Sequence, residues 1–250
     1  MSANLFELRG IEKSFDGLSV LKGVDLDIHC QEVLTLIGLS GSGKSVLLKM
    51  LIGLIRPDAG TIRFDGERVE TLSEKEWFAV RKRVGISFQE PALFDSMSVE
   101  DNVAYGLREH DQLAGGELTT RVSDSLTQVG LPGIEAMAPA SLSGGMRKRV
   151  GIARAVAMRP EALIYDEPTE GLDPINVTRV SNLMLGLRSA LDITTIVATH
   201  NMKAAFDTSD RIAFLHEGKI ACAGSPDALI AKHPQAMASF VEKATFRIPE

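Results

Sequence analysis

The sequence predicts an α/β protein with a parallel β-sheet core, an antiparallel β-subdomain near the N-terminus and an inserted α-helical subdomain. Three observations favour this fold. Short apolar strand patterns alternate with helical patterns, which is typical of a parallel sheet covered by helices on both faces. Two strand patterns of alternating polarity precede them, and strand patterns vanish between Pro91 and Pro160. At 250 residues the chain is long enough for one large domain with a subdomain.

The elements follow in order along the chain. Residues 5–9 and 20–28 alternate in polarity and flank the turn-like pair Asp16 and Gly17, so they predict a small antiparallel sheet. Ser225 and Pro226 predict the start of a C-terminal helix. The predicted strands of the parallel sheet are residues 33–37, 84–88, 162–165 and 193–198, and the predicted helices include one from about Lys44 and three at 99–109, 118–129 and 146–158.

Composition and charge restrict the classes of protein. With 27 basic and 33 acidic residues the net charge is −6, and hydrophobic residues make up 44% of the chain. These values argue against disordered, collagen-like and disulfide-scaffold proteins, and they disfavour a nucleic-acid coat. Cys30 and Cys222 lie far apart, which argues against zinc and fits a reducing compartment. Glu7 interrupts any signal peptide, and no apolar stretch reaches the roughly 18 residues of a membrane span, so we expect neither.

A phosphate-binding loop is predicted between strand 33–37 and the helix that follows. Small residues let successive backbone N–H groups curl around phosphate oxygens, and the helix N-terminus adds a partial positive charge. Lys44 would reach the β- and γ-phosphates, and Ser45 would bind Mg²⁺. A plain glycine-rich turn is the alternative, but the flanking strand and helix count against it. The loop consists of Gly38, Leu39, Ser40, Gly41, Ser42, Gly43, Lys44 and Ser45.

Two carboxylates end the apolar run 162–165. In a parallel sheet the carboxyl ends of the strands meet at the ligand crevice, so Asp166 and Glu167 are candidates for the chemistry. Asp166 would lie by Mg²⁺, and Glu167 would orient and polarise the water that attacks the γ-phosphate. Alone, the pair is also compatible with a polar strand end before Pro168. Beside a phosphate loop the catalytic interpretation is strongly favoured.

The sequence predicts a second helix N-terminus that binds an anion, just before the helical run 146–158. A serine–glycine helix cap would be the alternative if the motif stood alone. In order with the phosphate loop and the two carboxylates, the motif resembles the signature of the ATPase subunits of ATP-binding cassette (ABC) transporters. The motif consists of Leu142, Ser143, Gly144, Gly145 and Met146.

The resemblance extends from about residue 5 to residue 224. It implies a P-loop NTPase (RecA-like) core with a parallel sheet, and one ABC ATPase domain over residues 1–250. Within that domain, residues 1–90 and 161–224 would form the nucleotide-binding core with the β-subdomain. Residues 91–160 would form the helical subdomain that carries the signature, and residues 225–250 a C-terminal extension.

The resemblance also places further functional positions, each of which would fit a structural role if it stood alone. It makes Gln89 the Q-loop glutamine that touches Mg²⁺ and water, and His200 the switch histidine that contacts the γ-phosphate. Asp173 falls in the D-loop, and Phe15 takes the place of the aromatic that stacks on adenine. Val46 replaces the usual threonine, with Ser45 still present for Mg²⁺. In the family, two copies bind head to tail and hold ATP between the phosphate loop of one and the signature of the other.

Some residues depart from the commonest ABC pattern, and these departures indicate one subgroup of the family. Met146 replaces the usual glutamine, a basic triplet follows it, and Glu170 stands where serine is frequent. A basic triplet is usually a solvated helix face. Residues 142–149 and 88–110, however, resemble the MlaF-like ATPases of the Mla and mammalian-cell-entry (MCE) phospholipid transport systems. General ABC features are the alternative explanation for both stretches.

That subgroup implies a set of partners and a location. The partners would be a second copy of the chain, a multispan MlaE-like permease and, through the permease, an MCE-type lipid-binding subunit. A STAS-domain regulator is also compatible, whereas nucleic acid and direct lipid contact are not expected. The chain would lie peripherally on the cytoplasmic face of the bacterial inner membrane.

Other functions stay open on the sequence. The motor could serve a small-solute importer, or the chain could be a soluble ABC regulatory protein acting on ribosomes or DNA. The acidic charge and single phosphate loop disfavour the regulatory protein. A small-molecule kinase would explain the phosphate loop but not Ser143, Gly144 and Gly145.

Overall fold

The computed structural model describes residues 4–111 and 113–232, and it divides them into two compact units. The first unit is drawn from residues 4–80 and 194–232, and the second from residues 81–111 and 113–193. The chain has the α/β architecture that the sequence predicts, with an antiparallel β-subdomain and a mostly parallel sheet. None of the helices within the described residues is long and apolar enough to cross a membrane.

The strands are β1 (Asn4–Phe15), β2 (Leu18–His29), β3 (Val33–Ile37), β4 (Ala59–Phe64), β5 (Glu67–Arg68), β6 (Val84–Ser87), β7 (Ala162–Asp166), β8 (Thr194–Thr199), β9 (Arg211–His216) and β10 (Lys219–Gly224). The α-helices are α1 (Lys44–Leu51), α2 (Glu74–Arg83), α3 (Val99–Gly106), α4 (Gly115–Gln128), α5 (Gly144–Ala157), α6 (Pro174–Leu191), α7 (Met202–Thr208) and α8 (Pro226–Lys232). A π-helical turn, Leu107–Asp111, continues α3, and a short 3₁₀ helix, Pro139–Ser141, precedes α5.

The first unit contains the small antiparallel sheet predicted near the N-terminus. Its strand order is β2-β1-β4-β5, and β1 and β2 form a long hairpin. Asp16 and Gly17 make the two-residue turn, with φ angles of 48° and 83°. Both are in the left-handed region, which the twist of a tight hairpin favours. The strands are longer than predicted because pairing extends across polar residues up to the turn.

A second sheet in the first unit has the order β10-β9-β3-β8. Strand β3 is parallel to both neighbours and buried at all five residues, as expected for a central parallel strand. The register pairs Ile37 with Thr199 on one side and with Phe214 on the other. The residues that follow β3 and β8 therefore emerge next to each other at one edge of the sheet.

The second unit contains a parallel pair of strands and a helical region. Ser87 at the end of β6 pairs with Tyr165 near the end of β7. Gly85 is needed in β6, because a Cβ there would lie 2.8 Å from the Leu163 side chain and 3.1 Å from the Ala155 backbone oxygen. Helices α3, α4 and α5 pack together, and no strand lies between Pro91 and Pro160 among the described residues. The helical character predicted for this stretch is confirmed.

The C-terminal helix begins where the sequence predicts. Ser225 precedes α8, and its Oγ accepts a hydrogen bond from the backbone N–H of Ala228 at 3.3 Å. The remainder of the predicted C-terminal extension, residues 233–250, lies outside the described residues. The division into a core at 1–90 and 161–224 and a helical subdomain at 91–160 stays a prediction.

Candidate functional site

The predicted phosphate loop leaves β3 and enters α1 through a tightly packed turn. A Cβ on Gly38 would lie 2.6 Å from the Leu215 backbone oxygen and 2.7 Å from Ser42 Oγ. Gly41 and Gly43 have φ angles of 78° and 102°, which side chains disfavour. The glycines therefore allow a backbone path that bulkier residues would block.

The polar groups of this loop fit a phosphate-bearing ligand. Ser42 Oγ is buried and has no hydrogen-bond partner among the described residues, so it is a hydroxyl that a bound oxygen can satisfy. Lys44 is only 6% exposed, and its ammonium donates to the backbone oxygens of Gly38 at 2.9 Å and Leu39 at 3.3 Å. The lysine charge is thus held over the loop. Ser45 and Val46 are half-buried in the first turn of α1.

Two other predicted residues share the first unit with this loop. His200 follows Thr199, which is paired with Ile37, so the exposed histidine starts at the same sheet edge as the loop. Asn201 then caps α7 by accepting from the backbone N–H of Ala204 at 3.0 Å. Phe15 lies at the end of β1, 42% exposed, with the Lys13 ammonium 5.4 Å from its ring centroid. Its aromatic ring is thus only partly covered.

The second unit brings together residues from the ends of β6 and β7. Asp166 and Glu167 are 4% and 7% exposed, and Gln89 lies shortly after the paired end of β6. Glu167 has a φ of 46°, a left-handed conformation that costs a residue with a side chain about 1–2 kcal/mol. This strain turns the chain sharply after Asp166 and coincides with the residue predicted to activate water.

A lysine of the basic triplet contacts the segment that carries Glu167. Lys148 on α5 donates to the backbone oxygens of Glu170 at 2.6 Å and of Glu167 at 3.3 Å. Burial lowers the pKa of Lys148, and the carboxylates of Glu170, Glu90 and Glu167 oppose that decrease. The side chain of Glu170 in turn accepts a hydrogen bond from Gln89 Nε2 at 2.6 Å. The triplet is therefore not simply a solvated helix face.

The signature and the D-loop each start a helix. Ser143 caps α5 by accepting from the Met146 N–H at 3.3 Å, and Leu142 is buried just before it. A Cβ on Gly144 would meet nothing within 4 Å, and one on Gly145 would lie 3.5 Å from Asn176. Asp173 caps α6 by accepting from the N–H groups of Ile175 and Asn176, each at 3.1 Å. Hydrogen bonds to the Asn176 side chain and backbone lower the pKa of Asp173.

The segment after Gln89 depends on a residue that the sequence analysis did not select. Asn102 on α3 is fully buried, accepts from the Phe94 N–H and donates to the backbone oxygens of Phe94 and Ser98. Phe94 and Tyr105, each 42% exposed, pack with their ring centroids 4.9 Å apart. Asn102 thus fixes an exposed aromatic pair. Nothing in a single asparagine within a helix pattern indicates this role, whereas Lys148 and Glu170 were marked by their departure from the usual pattern.

The chain is similar in sequence to several known proteins. The sequence model of a family described as ABC transporter matches residues 21–170. The chain is 39% identical over 235 residues to a probable ribonucleotide transport ATP-binding protein, mkl, of Mycobacterium leprae, covering 94% of this chain and 68% of that protein. It is 37% identical over 240 residues to the intermembrane phospholipid transport system ATP-binding protein MlaF of Escherichia coli K12, covering 96% and 89%. Other mycobacterial mkl proteins are matched over 66% of their length.

Solved structures show the same architecture. cbiO1 of Clostridium perfringens, part of the ABC transporter complex cbiONQ, superimposes with a TM-score of 0.84 at 31% identity, covering 97% of this chain and 96% of that chain. The ATP-binding cassette MJ0796, in a dimeric post-hydrolysis state with ADP and Pi, gives a TM-score of 0.81 at 28% identity, covering 88% and 98%.

Proposed function

This chain belongs to the ABC transporter ATP-binding family, and we propose that it is the motor of a bacterial phospholipid transporter of the Mla/MCE type. Membership makes it an ATPase that binds and hydrolyses ATP. The observation that supports the lipid assignment is the similarity to MlaF, which extends over 89% of that protein's length. The basic triplet that marks this subgroup contributes Lys148, which contacts the segment bearing Glu167.

Each unit carries its own residues with a proposed role in hydrolysis. In the first unit, the loop N–H groups and the Lys44 ammonium would hold the phosphates, and Phe15 would stack on the adenine. His200, at the same sheet edge as the loop, would contact the γ-phosphate. In the second unit, Glu167 would accept a proton from the attacking water. Mg²⁺, when bound, would neutralise phosphate charge, and its ligands would be Ser45, Gln89 and Asp166.

The signature would act on the ATP of a second copy of this chain. Ser143 and Gly144 at the start of α5 are exposed, so a phosphate carried by another molecule can reach this helix N-terminus. Contacts that require the γ-phosphate would hold two copies together with ATP and release them after hydrolysis. The dimer would thereby convert hydrolysis into a cycle of closing and opening.

The partner that responds to this cycle would be a multispan permease similar to MlaE. The exposed pair Phe94 and Tyr105 offers apolar area for such contact. The permease would place the chain peripherally on the cytoplasmic face of the inner membrane. An MCE-type lipid-binding subunit would be reached only through the permease, and a STAS-domain regulator is a further partner to look for.

A second candidate function is the import of a small solute. The mycobacterial relative at 39% identity is described as a probable ribonucleotide transport protein, so family membership leaves the cargo open. The two functions predict different companions: a phospholipid motor would co-purify with an MCE-type subunit, and a solute importer with a solute-binding protein.

Affinity purification from gently solubilised membranes tests both functions. The tagged chain would carry Glu167→Gln, which retains ATP and prolongs the closed dimer, and Glu161→Gln would serve as a control at an exposed carboxylate bonded to Arg83. We expect a multispan permease, an MCE-type subunit and phospholipid by mass spectrometry. A solute-binding protein would redirect the assignment to small-solute import, and a reproducible absence of any permease would overturn the proposal in favour of a soluble regulator.

A further inference from the structure

Gln89 and Glu170 form a direct hydrogen bond that determines which end of the Gln89 side-chain amide faces Glu170. Gln89 Nε2 donates to Glu170 Oε2 at 2.6 Å. An ionised carboxylate carries only acceptors, so the amide end that faces it has to be the nitrogen. The amide oxygen of Gln89 therefore faces away from Glu170. Both residues are exposed, so this contact, rather than burial, selects the orientation.

Glu170 is itself held in place from α5. The Lys148 ammonium donates to the Glu170 backbone oxygen at 2.6 Å, and it also reaches the Glu167 backbone oxygen at 3.3 Å. Charge-assisted hydrogen bonds of this kind are stronger and shorter than neutral ones. The lysine thus anchors the backbone on which the Glu170 carboxylate is mounted, four residues after the buried Asp166.

We propose that Glu170 is a positioning residue that presents the amide oxygen of Gln89, rather than its nitrogen, to the divalent cation that accompanies ATP. The inference rests on the proposed role of Gln89 toward Mg²⁺. Magnesium takes oxygen ligands, and a ligand with two chemically different ends binds only when the oxygen is turned toward the ion. Partners in the outer shell commonly fix such orientations.

Whether the Gln89 amide is oriented in this way depends on the side chain at position 170. Serine, which the family often carries there, ends two bonds closer to the backbone than a glutamate carboxylate. A hydroxyl also both donates and accepts, so it would not discriminate between the two ends of the amide. Glutamate supplies both the reach and the acceptor-only character that the contact at 2.6 Å requires.

Binding of Mn²⁺ in the presence of ATP tests the inference without relying on turnover. The full chain carrying Glu167→Gln is titrated with Mn²⁺ and followed by electron paramagnetic resonance, and ATP binding without metal is measured in parallel. Glu170→Ala should weaken Mn²⁺ binding by roughly three- to tenfold, less than buried outer-shell partners because the pair is exposed. Metal-free ATP affinity should not change. Glu170→Gln keeps the length of the side chain but adds an N–H2 donor, so it can hold either end of the Gln89 amide and should lose Mn²⁺ affinity about as much as Glu170→Ala.

A double substitution separates positioning from general damage. In a chain that already has Gln89→Ala, adding Glu170→Ala should produce no further loss, because the residue acts through Gln89. Glu161→Gln, which removes another exposed carboxylate of the second unit, should bind Mn²⁺ like the parent.

Three results would overturn the inference. They are an unchanged Mn²⁺ affinity in Glu170→Ala, a parent-like Mn²⁺ affinity in Glu170→Gln, and an equal loss with and without Gln89. If Gln89→Ala alone leaves Mn²⁺ binding intact, the cation role of Gln89 fails and this inference fails with it. The phospholipid proposal, which depends on co-purifying partners, would be untouched by any of these results.

Discussion

Replacing Gly38 by alanine isolates the steric requirement of the phosphate loop. The added Cβ would lie 2.6 Å from the Leu215 backbone oxygen and 2.7 Å from Ser42 Oγ. Side-chain carbons rarely approach closer than about 3.0–3.4 Å, so β9 or the loop has to move, at a typical overpacking cost of about 1–3 kcal/mol. This cost falls on the conformation of the loop that binds phosphate, so ATP affinity should decrease by roughly fivefold to 150-fold.

The assay combines ATP titration calorimetry with denaturant unfolding of the same preparations. Gly186→Ala is the matched control, since it adds the same methyl group at an exposed position inside α6 where nothing lies within 4 Å. There the change should stabilise the chain by about 0.5–1 kcal/mol, because alanine loses less backbone freedom than glycine in a helix. ATP affinity of this control should equal that of the parent.

The steric reasoning would be refuted by a Gly38→Ala chain that binds ATP as tightly as the parent. It would also be refuted if both substitutions lowered stability equally, because the effect would then come from glycine loss in general. Weak ATP binding with intact folding in Gly38→Ala alone is the expected pattern.

Three further predictions concern the second unit. Asn102→Ala removes the buried hydrogen bonds to Phe94 and Ser98 and should lower the free energy of unfolding, measured with denaturant, by about 2–4 kcal/mol. A decrease below about 1 kcal/mol would contradict the role assigned to Asn102. The Tyr165 hydroxyl is buried without a partner among the described residues, and burial raises the pKa of this phenol. Tyr165→Phe should therefore leave stability unchanged or raise it by up to about 1 kcal/mol, and a clear decrease in Tm would count against this. Ser143→Arg should spare ATP binding and abolish phosphate release, and parent-level turnover would argue against a signature acting on a second copy.

Local sequence patterns were sufficient for much of the fold and for the backbone of the candidate site. The hairpin at Asp16 and Gly17 and the glycines of the phosphate loop are read from neighbouring residues, because backbone conformation there is set locally. The buried strand ending in Asp166 and Glu167 has a continuous apolar pattern, and its carboxyl end had to lie at a ligand edge if the sheet was parallel.

Other features depend on partners distant in sequence, so local patterns do not predict them. Strand β10 was not predicted, because its alanine, glycine and lysine give a weak strand pattern that pairing with β9 stabilises. Strand β9 was also missed, although its residues 212–215 form an apolar, buried run. The contacts of Lys148 could not be predicted from the sequence either. A basic triplet on a helix indicates charge, whereas its contacts with the backbone at 167 and 170 depend on how α5 packs.

The left-handed backbone at Glu167 has a consequence for laboratory evolution. Glycine or asparagine would relieve the strain that a φ of 46° imposes on this side chain. A selection for heat resistance alone would therefore enrich those residues at position 167 and discard the carboxylate that we propose activates water, since stability and activity oppose each other at such sites. Thermostable versions of this motor have to be sought at other positions, with turnover included in the screen.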